Sequence, residues 1–174
     1  MLYVFVEGPD DERYFEAVYG DFFRERFGGF STVLYAQEKR KKINGFLSNI
    51  PNMPDSEYIF FGDADGKSLE ERKSDLIEKY TSLSGDRVYV VQFEIESWYY
   101  AGVEEASCKD LGLKHYEFRT DALTKEDLCA KFTSRADRVT LMTEMLNCYS
   151  IPLAMDRNHS FRLFHLSMET ASVS

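Results

Sequence analysis

The chain has 174 residues, a hydrophobic fraction of 44%, an aromatic fraction of 15% and a formal charge of -9. This length gives one domain with room for a small appendage, and the composition excludes a globally disordered chain. The acidity argues against an extended, high-affinity DNA-binding surface, which is usually basic. No run approaches the roughly 18 apolar residues that a membrane span needs. Met1-Leu2-Tyr3 enters a strand directly, with no basic segment and apolar leader before it, so a cytoplasmic protein is expected. Cys108, Cys129 and Cys148 are odd in number and widely spaced, which reads as buried free thiols rather than disulfides or a zinc knuckle.

Leu2 to Val6 is apolar throughout, as a strand covered on both faces should be, and Glu7-Gly8-Pro9-Asp10 breaks it. From Asp11 to Phe27 the apolar residues Tyr14, Phe15, Val18, Phe22, Phe23 and Phe27 follow a helical period, and Gly28-Gly29 stops it. Phe30 to Ala36 reads as a second strand. Gln37 to Lys42 reads as a basic turn containing Lys39, Arg40, Lys41 and Lys42, and Ile43 to Ile50 as a helix. Pro51 and Pro54 mark a loop.

Glu57 to Phe61 reads as a third strand that ends in Gly62-Asp63-Ala64-Asp65-Gly66. Ser68 with Glu71 is a capping box opening a helix to Tyr80. Arg87 to Phe93 reads as a fourth strand, followed by Glu94, Glu96 and a short helix from Ile95 to Ala101. After Gly102 the pattern turns helical, over Glu104–Leu111, Lys125–Phe132, Arg135–Cys148 and Asn158–Met168, with a fraying end. The expected organisation is an α/β domain over 1–102 with a mostly helical extension over 103–174 packed on it.

Strand–helix alternation predicts a Rossmann-like, four-stranded parallel sheet flanked by helices. Ligand sites in such sheets form beyond the carboxyl ends of the strands, where strand order reverses. With the order 2-1-3-4, Glu7, Asp63, Asp65, Glu94 and Glu96 gather on one edge. Clustered carboxylates repel unless a cation joins them, and an all-oxygen set suits Mg²⁺ or Mn²⁺. Asp-Ala-Asp-Gly is also ordinary turn chemistry, so its force comes from Glu7 at the matching position of another strand.

Val4-Phe5-Val6-Glu7-Gly8-Pro9-Asp10-Asp11-Glu12, followed by Ile59-Phe60-Phe61-Gly62-Asp63-Ala64-Asp65, resembles the Toprim domain over roughly residues 1–100. The likeness is to small stand-alone and OLD-type Toprim nucleases. Glu94-Ile95-Glu96-Ser97-Trp98 and Asn158-His159-Ser160-Phe161-Arg162 resemble further elements of such proteins. The resemblance implies that Glu7 is a general acid/base or metal ligand and that Asp63 and Asp65 bind Mg²⁺. Glu94 or Glu96 would complete a second metal position. The implied activity is phosphodiester hydrolysis of nucleic acid, with DNA the first expectation, alone or with a partner ATPase or a second copy. A binding module that holds metal and nucleic acid without cutting is the alternative. The sequence has no Gly-x-x-x-x-Gly-Lys-Ser/Thr loop and no zinc-ribbon cysteines, so priming and strand passage are not expected of it alone.

Lys39, Arg40, Lys41 and Lys42 are candidate phosphate contacts at the carboxyl end of the second strand, or simply a solvated helix start. Lys67, Arg157 and Arg162 are further candidates. Trp98, Tyr99 and Tyr100 read as core aromatics, with base stacking the alternative. His115, His159 and His165 lack zinc spacing and read as structural.

Overall fold

A computed structural model describes residues 1–114, 118–132 and 137–170. His115 and the first residues of the helix expected from Arg135 lie outside the described residues, as do 171–174 of the expected fraying end. The chain divides into two compact units, 1–91 and 92–174.

The first unit is α/β. Its strands are β1 (Leu2–Val6), β2 (Phe30–Leu34), β3 (Glu57–Asp63) and β4 (Val88–Val91), and its helices are α1 (Pro9–Phe27), α2 (Arg40–Asn49) and α3 (Leu69–Lys79). All strand pairs are parallel, in the order β2-β1-β3-β4. The expected sheet and strand order are therefore present. β1 is central, and its Leu2, Val4, Phe5 and Val6 are buried.

Alternation across β3 sends Phe60 and Phe61 to opposite faces. Phe61 meets Phe15 of α1, with ring centroids 4.4 Å apart. Phe60 stacks on Tyr35 at 4.3 Å and meets Tyr80 at 5.2 Å. That second face is completed by Ile43, Leu47 and Leu76.

Several boundaries move for local reasons. Pro9 fits the first turn of α1 because its missing N–H would have no helical partner there. Asp11 then reaches back to the Gly8 N–H at 3.0 Å. The strand expected through Ala36 stops at Leu34, and Tyr35–Gln37 forms a 3-10 turn. The expected basic turn is partly helix: Lys39 caps α2, and Arg40, Lys41 and Lys42 form its first turn. β4 stops short of Phe93, whose φ of 61° turns the chain out of the sheet direction.

The second unit is helical among its described residues. It comprises α4 (Glu96–Ala101), α5 (Glu105–Asp110), α6 (Lys125–Lys131), α7 (Arg138–Asn147), α8 (Ile151–Arg157) and α9 (His159–Thr170). α8 was not expected from the sequence. Ser150 caps it by accepting from the Leu153 N–H, and Pro152 lies in its first turn.

The unit is organised around Trp98, Phe161 and Phe164, all buried, with Trp98 stacked on Phe164 at 5.6 Å. Buried Arg157 donates to the carbonyls of Tyr100, Ala101 and Val103, which favourably places a cation at the C-terminal end of α4. Among the described residues no helix is long and apolar enough to cross a membrane.

Candidate functional site

The carboxyl edge of the first unit is set by register. Val6 pairs with Leu34 and Phe5 with Phe60. The residues just beyond these pairs therefore become neighbours: Glu7 after β1, Tyr35 after β2, and Gly62-Asp63 closing β3. Tyr35 Oη donates to Glu7 Oε1 at 2.8 Å, and the Asp63 N–H approaches the same oxygen at 3.3 Å. Gly62 leaves room for Leu76 beside this edge. A Cβ there would stand 2.7 Å from Leu76 Cδ1 and 3.5 Å from Glu7 Oε1.

Beyond Asp63 the chain makes a tight turn. Asp65 and Gly66 both have positive φ, 50° and 80°, and the Lys67 N–H closes the turn on the Ala64 carbonyl at 2.9 Å. Asp-Gly suits two successive left-handed positions. Ser68 and Glu71 then form the expected capping box, which fixes where α3 begins. That start brings Arg72 back over the turn. Its Nη2 donates to Glu7 Oε1 at 2.9 Å and lies 3.5 Å from Asp65 Oδ2. Two of the expected acids therefore converge on one cationic nitrogen, and Glu7 also touches the backbone of the third.

The electrostatics follow from this packing. Burial, then the neighbouring Glu7 charge, pushes the Tyr35 phenol far up, so it stays a neutral donor. Burial opposes the Arg72 charge, but Glu7, Tyr35 and Asp65 outweigh it and raise the Arg72 pKa. Among the described residues the donors to Glu7, from Tyr35, Asp63 and Arg72, all fall on Oε1.

No family model, curated protein or solved structure matches the chain. The reading of this edge therefore stands on its own geometry. Among the described residues no three His, Cys, Asp or Glu side chains form a ready-made metal cage. Glu7 and Asp65 offer carboxylate oxygens, the donor type a hard cation takes, and both already reach one positive group. Arg72 supplies that charge here.

The remaining expected site residues divide clearly. Lys39, Arg40, Lys41 and Lys42 are exposed at the start of α2, on the carboxyl side of β2. Only Lys42 of these has an ion pair among the described residues, with Glu38. Four cations at the positive end of a helix, with no acid in its first turn, are unfavourable for that helix. Lys67 is exposed and pairs with Asp75 at 2.6 Å.

Glu94 and Glu96 belong to the second unit. Glu94 accepts from the Lys125 N–H at the start of α6. Glu96 is buried and pairs with Arg138, yet burial still raises its pKa above the ordinary carboxylate value. Arg162 donates to the carbonyls of Met155 and Asp156, and Arg157 is fully buried.

Burial of Trp98, Tyr99 and Tyr100 places them in the core and excludes base stacking in this structure. Trp98 and the Asn158-containing segment meet through hydrogen bonds. Ser160 Oγ accepts from Trp98 Nε1 at 2.8 Å and from the Gln92 N–H at 3.1 Å, and donates to Asn158 Oδ1 at 2.9 Å. Asn158 also donates to Ser97 and Thr120. This network holds the second unit together. His159 is exposed, and His165 stacks on Phe161. Cys108 is buried as expected, whereas Cys129 is exposed.

Tyr35 and Arg72 are the site residues that sequence reasoning missed. The strand pattern from Phe30 to Ala36 includes Tyr35 and hides it. The available signal for Arg72 was its place one turn inside a helix whose start the capping box fixes.

Proposed function

We propose that this protein is a Mg²⁺- or Mn²⁺-dependent Toprim-type nuclease or related phosphodiester-processing enzyme. It acts in the cytoplasm on nucleic acid, DNA before RNA, alone or beside a partner ATPase or a second copy of itself. The observation that carries this reading is the convergence of Glu7 and Asp65 on one cationic nitrogen, with the Asp63 backbone hydrogen-bonded to Glu7.

Glu7, Asp63 and Asp65 would hold the divalent ion. When bound, such an ion lowers the pKa of water and stabilises charge on phosphate oxygens. Glu7 would also take a proton from an attacking water, the general-base role that the resemblance implies. Tyr35 fixes the Glu7 rotamer by its hydrogen bond and stays protonated while doing so. Lys39, Arg40 and Lys41 offer exposed charge to backbone phosphates, in an arrangement that the helix alone disfavours.

The experiment is nuclease assay on single- and double-stranded DNA and on RNA with Mg²⁺ or Mn²⁺, comparing wild type with Asp63→Ala and Glu7→Gln. Metal-dependent cleavage abolished by both changes is expected. Cleavage untouched by either would reject the assignment. Metal-dependent nucleic-acid binding without turnover would support the holding module instead, a reading favoured by Arg72 already neutralising the acids.

A further inference from the structure

Arg72 contacts two of the carboxylates that a divalent ion would need. Its Nη2 lies 2.9 Å from Glu7 Oε1 and 3.5 Å from Asp65 Oδ2. A guanidinium placed so relieves carboxylate repulsion without any bound ion. The hold is lopsided, however. Nη2 carries the contacts to Glu7 and Asp65, while the buried Nε finds no acceptor among the described residues. An unmet buried donor is unfavourable, so this arrangement is less secure than a fully bonded fork.

The backbone explains why Arg72 is there. Its N–H bonds the Ser68 carbonyl at 3.0 Å, so its Cα is fixed by the first turn of α3. The long side chain alone reaches the acids. It can leave them by rotamer change without moving the helix.

We infer that Arg72 is an internal cation that competes with a divalent ion for Glu7 and Asp65, a positioning residue that keeps the acids assembled while no ion is bound. This rests on the metal reading of the site. Entry of the ion requires Nη2 to withdraw, which frees the guanidinium to satisfy Nε elsewhere. Arg72 therefore weakens ion binding, whereas a purely structural brace would strengthen it.

The test is Mn²⁺ titration followed by electron paramagnetic resonance, on wild type, Arg72→Gln and Arg72→Lys, with folding checked by circular dichroism. Removing one opposing charge at contact range should tighten Mn²⁺ binding about tenfold in Arg72→Gln. Arg72→Lys keeps the charge and should stay near wild type. If wild type binds Mn²⁺ and Arg72→Gln binds equally or more weakly, the competition is overturned while the metal reading survives. If neither binds, the metal reading fails and the competition with it.

A wild-type measurement guards against misfolding of the variants. The Arg72 side-chain NMR signals should shift, and rotation about Cζ–Nη quicken, as Mg²⁺ is added. Signals unchanged while Mg²⁺ binds would overturn the inference.

Discussion

Gly62→Ala probes the packing that builds the site. The new Cβ would lie 2.7 Å from Leu76 Cδ1, about 0.8 Å short of ordinary carbon–carbon contact. Leu76 is buried on α3, the helix that carries Arg72, so relief must come from moving α3 or from an off-rotamer leucine. Overpacking of this kind costs about 1–3 kcal/mol. Leu76→Ala alone should cost about 2–5 kcal/mol by leaving a cavity. Together the two changes remove the clash, so the double variant should be more stable than the sum of the singles by about 1–2 kcal/mol. Hydrogen exchange of the β1 and β3 amides, read by mass spectrometry, measures the first unit separately from the second. Additivity of the two changes within about 0.5 kcal/mol would refute the claim that Gly62 exists to admit Leu76.

Three other outcomes follow from the same geometry. Ser160→Ala strips the acceptor shared by Trp98 Nε1 and the Gln92 N–H, and should destabilise the second unit by about 1–3 kcal/mol. Trp98 is the chain's single tryptophan, so its emission during urea unfolding reads that unit directly, and an unchanged midpoint would contradict the network. Glu96 holds its proton more tightly folded than unfolded, because burial outweighs Arg138. Its contribution is therefore fully present below the ordinary carboxylate pKa and lost as pH rises through the raised folded value, so Glu96→Gln should gain stability relative to wild type across that window. A stability difference that stays flat with pH would contradict this. Replacing Lys39, Arg40 and Lys41 by alanine should make the salt dependence of DNA binding shallower by about 2–3 in log–log slope, and an unchanged slope would remove them from the interface.

The sheet was legible because β1 and β3 are apolar runs that stop at Glu7 and Asp63, and α3 because Ser68 and Glu71 announce it. α8 was not. It is seven residues long, and its Pro152 resembles a terminator until Ser150 is recognised as the cap. The edge acids were legible as types, but their real neighbours depend on register. Tyr35 reaches Glu7 because Val6 pairs with Leu34, and no local pattern carries that pairing. Charge density makes the basic run resemble a turn, but lysine and arginine are good helix formers, and Arg40, Lys41 and Lys42 open α2. Resemblance marks the Glu94-to-Trp98 and Asn158-to-Arg162 segments, and strand order also marks Glu94 and Glu96. Their observed contacts are core packing, hydrogen bonds and the Glu96–Arg138 ion pair.

The most direct measurement is a crystal structure of the protein soaked in Mn²⁺, with data collected for anomalous scattering. A peak is expected at the β1–β3 edge, about 2.0–2.3 Å from carboxylate oxygens of Glu7 and of Asp63 or Asp65, with Arg72 Nη2 withdrawn from Glu7. No peak at that edge in fully soaked crystals, with Arg72 still on both acids, would contradict it.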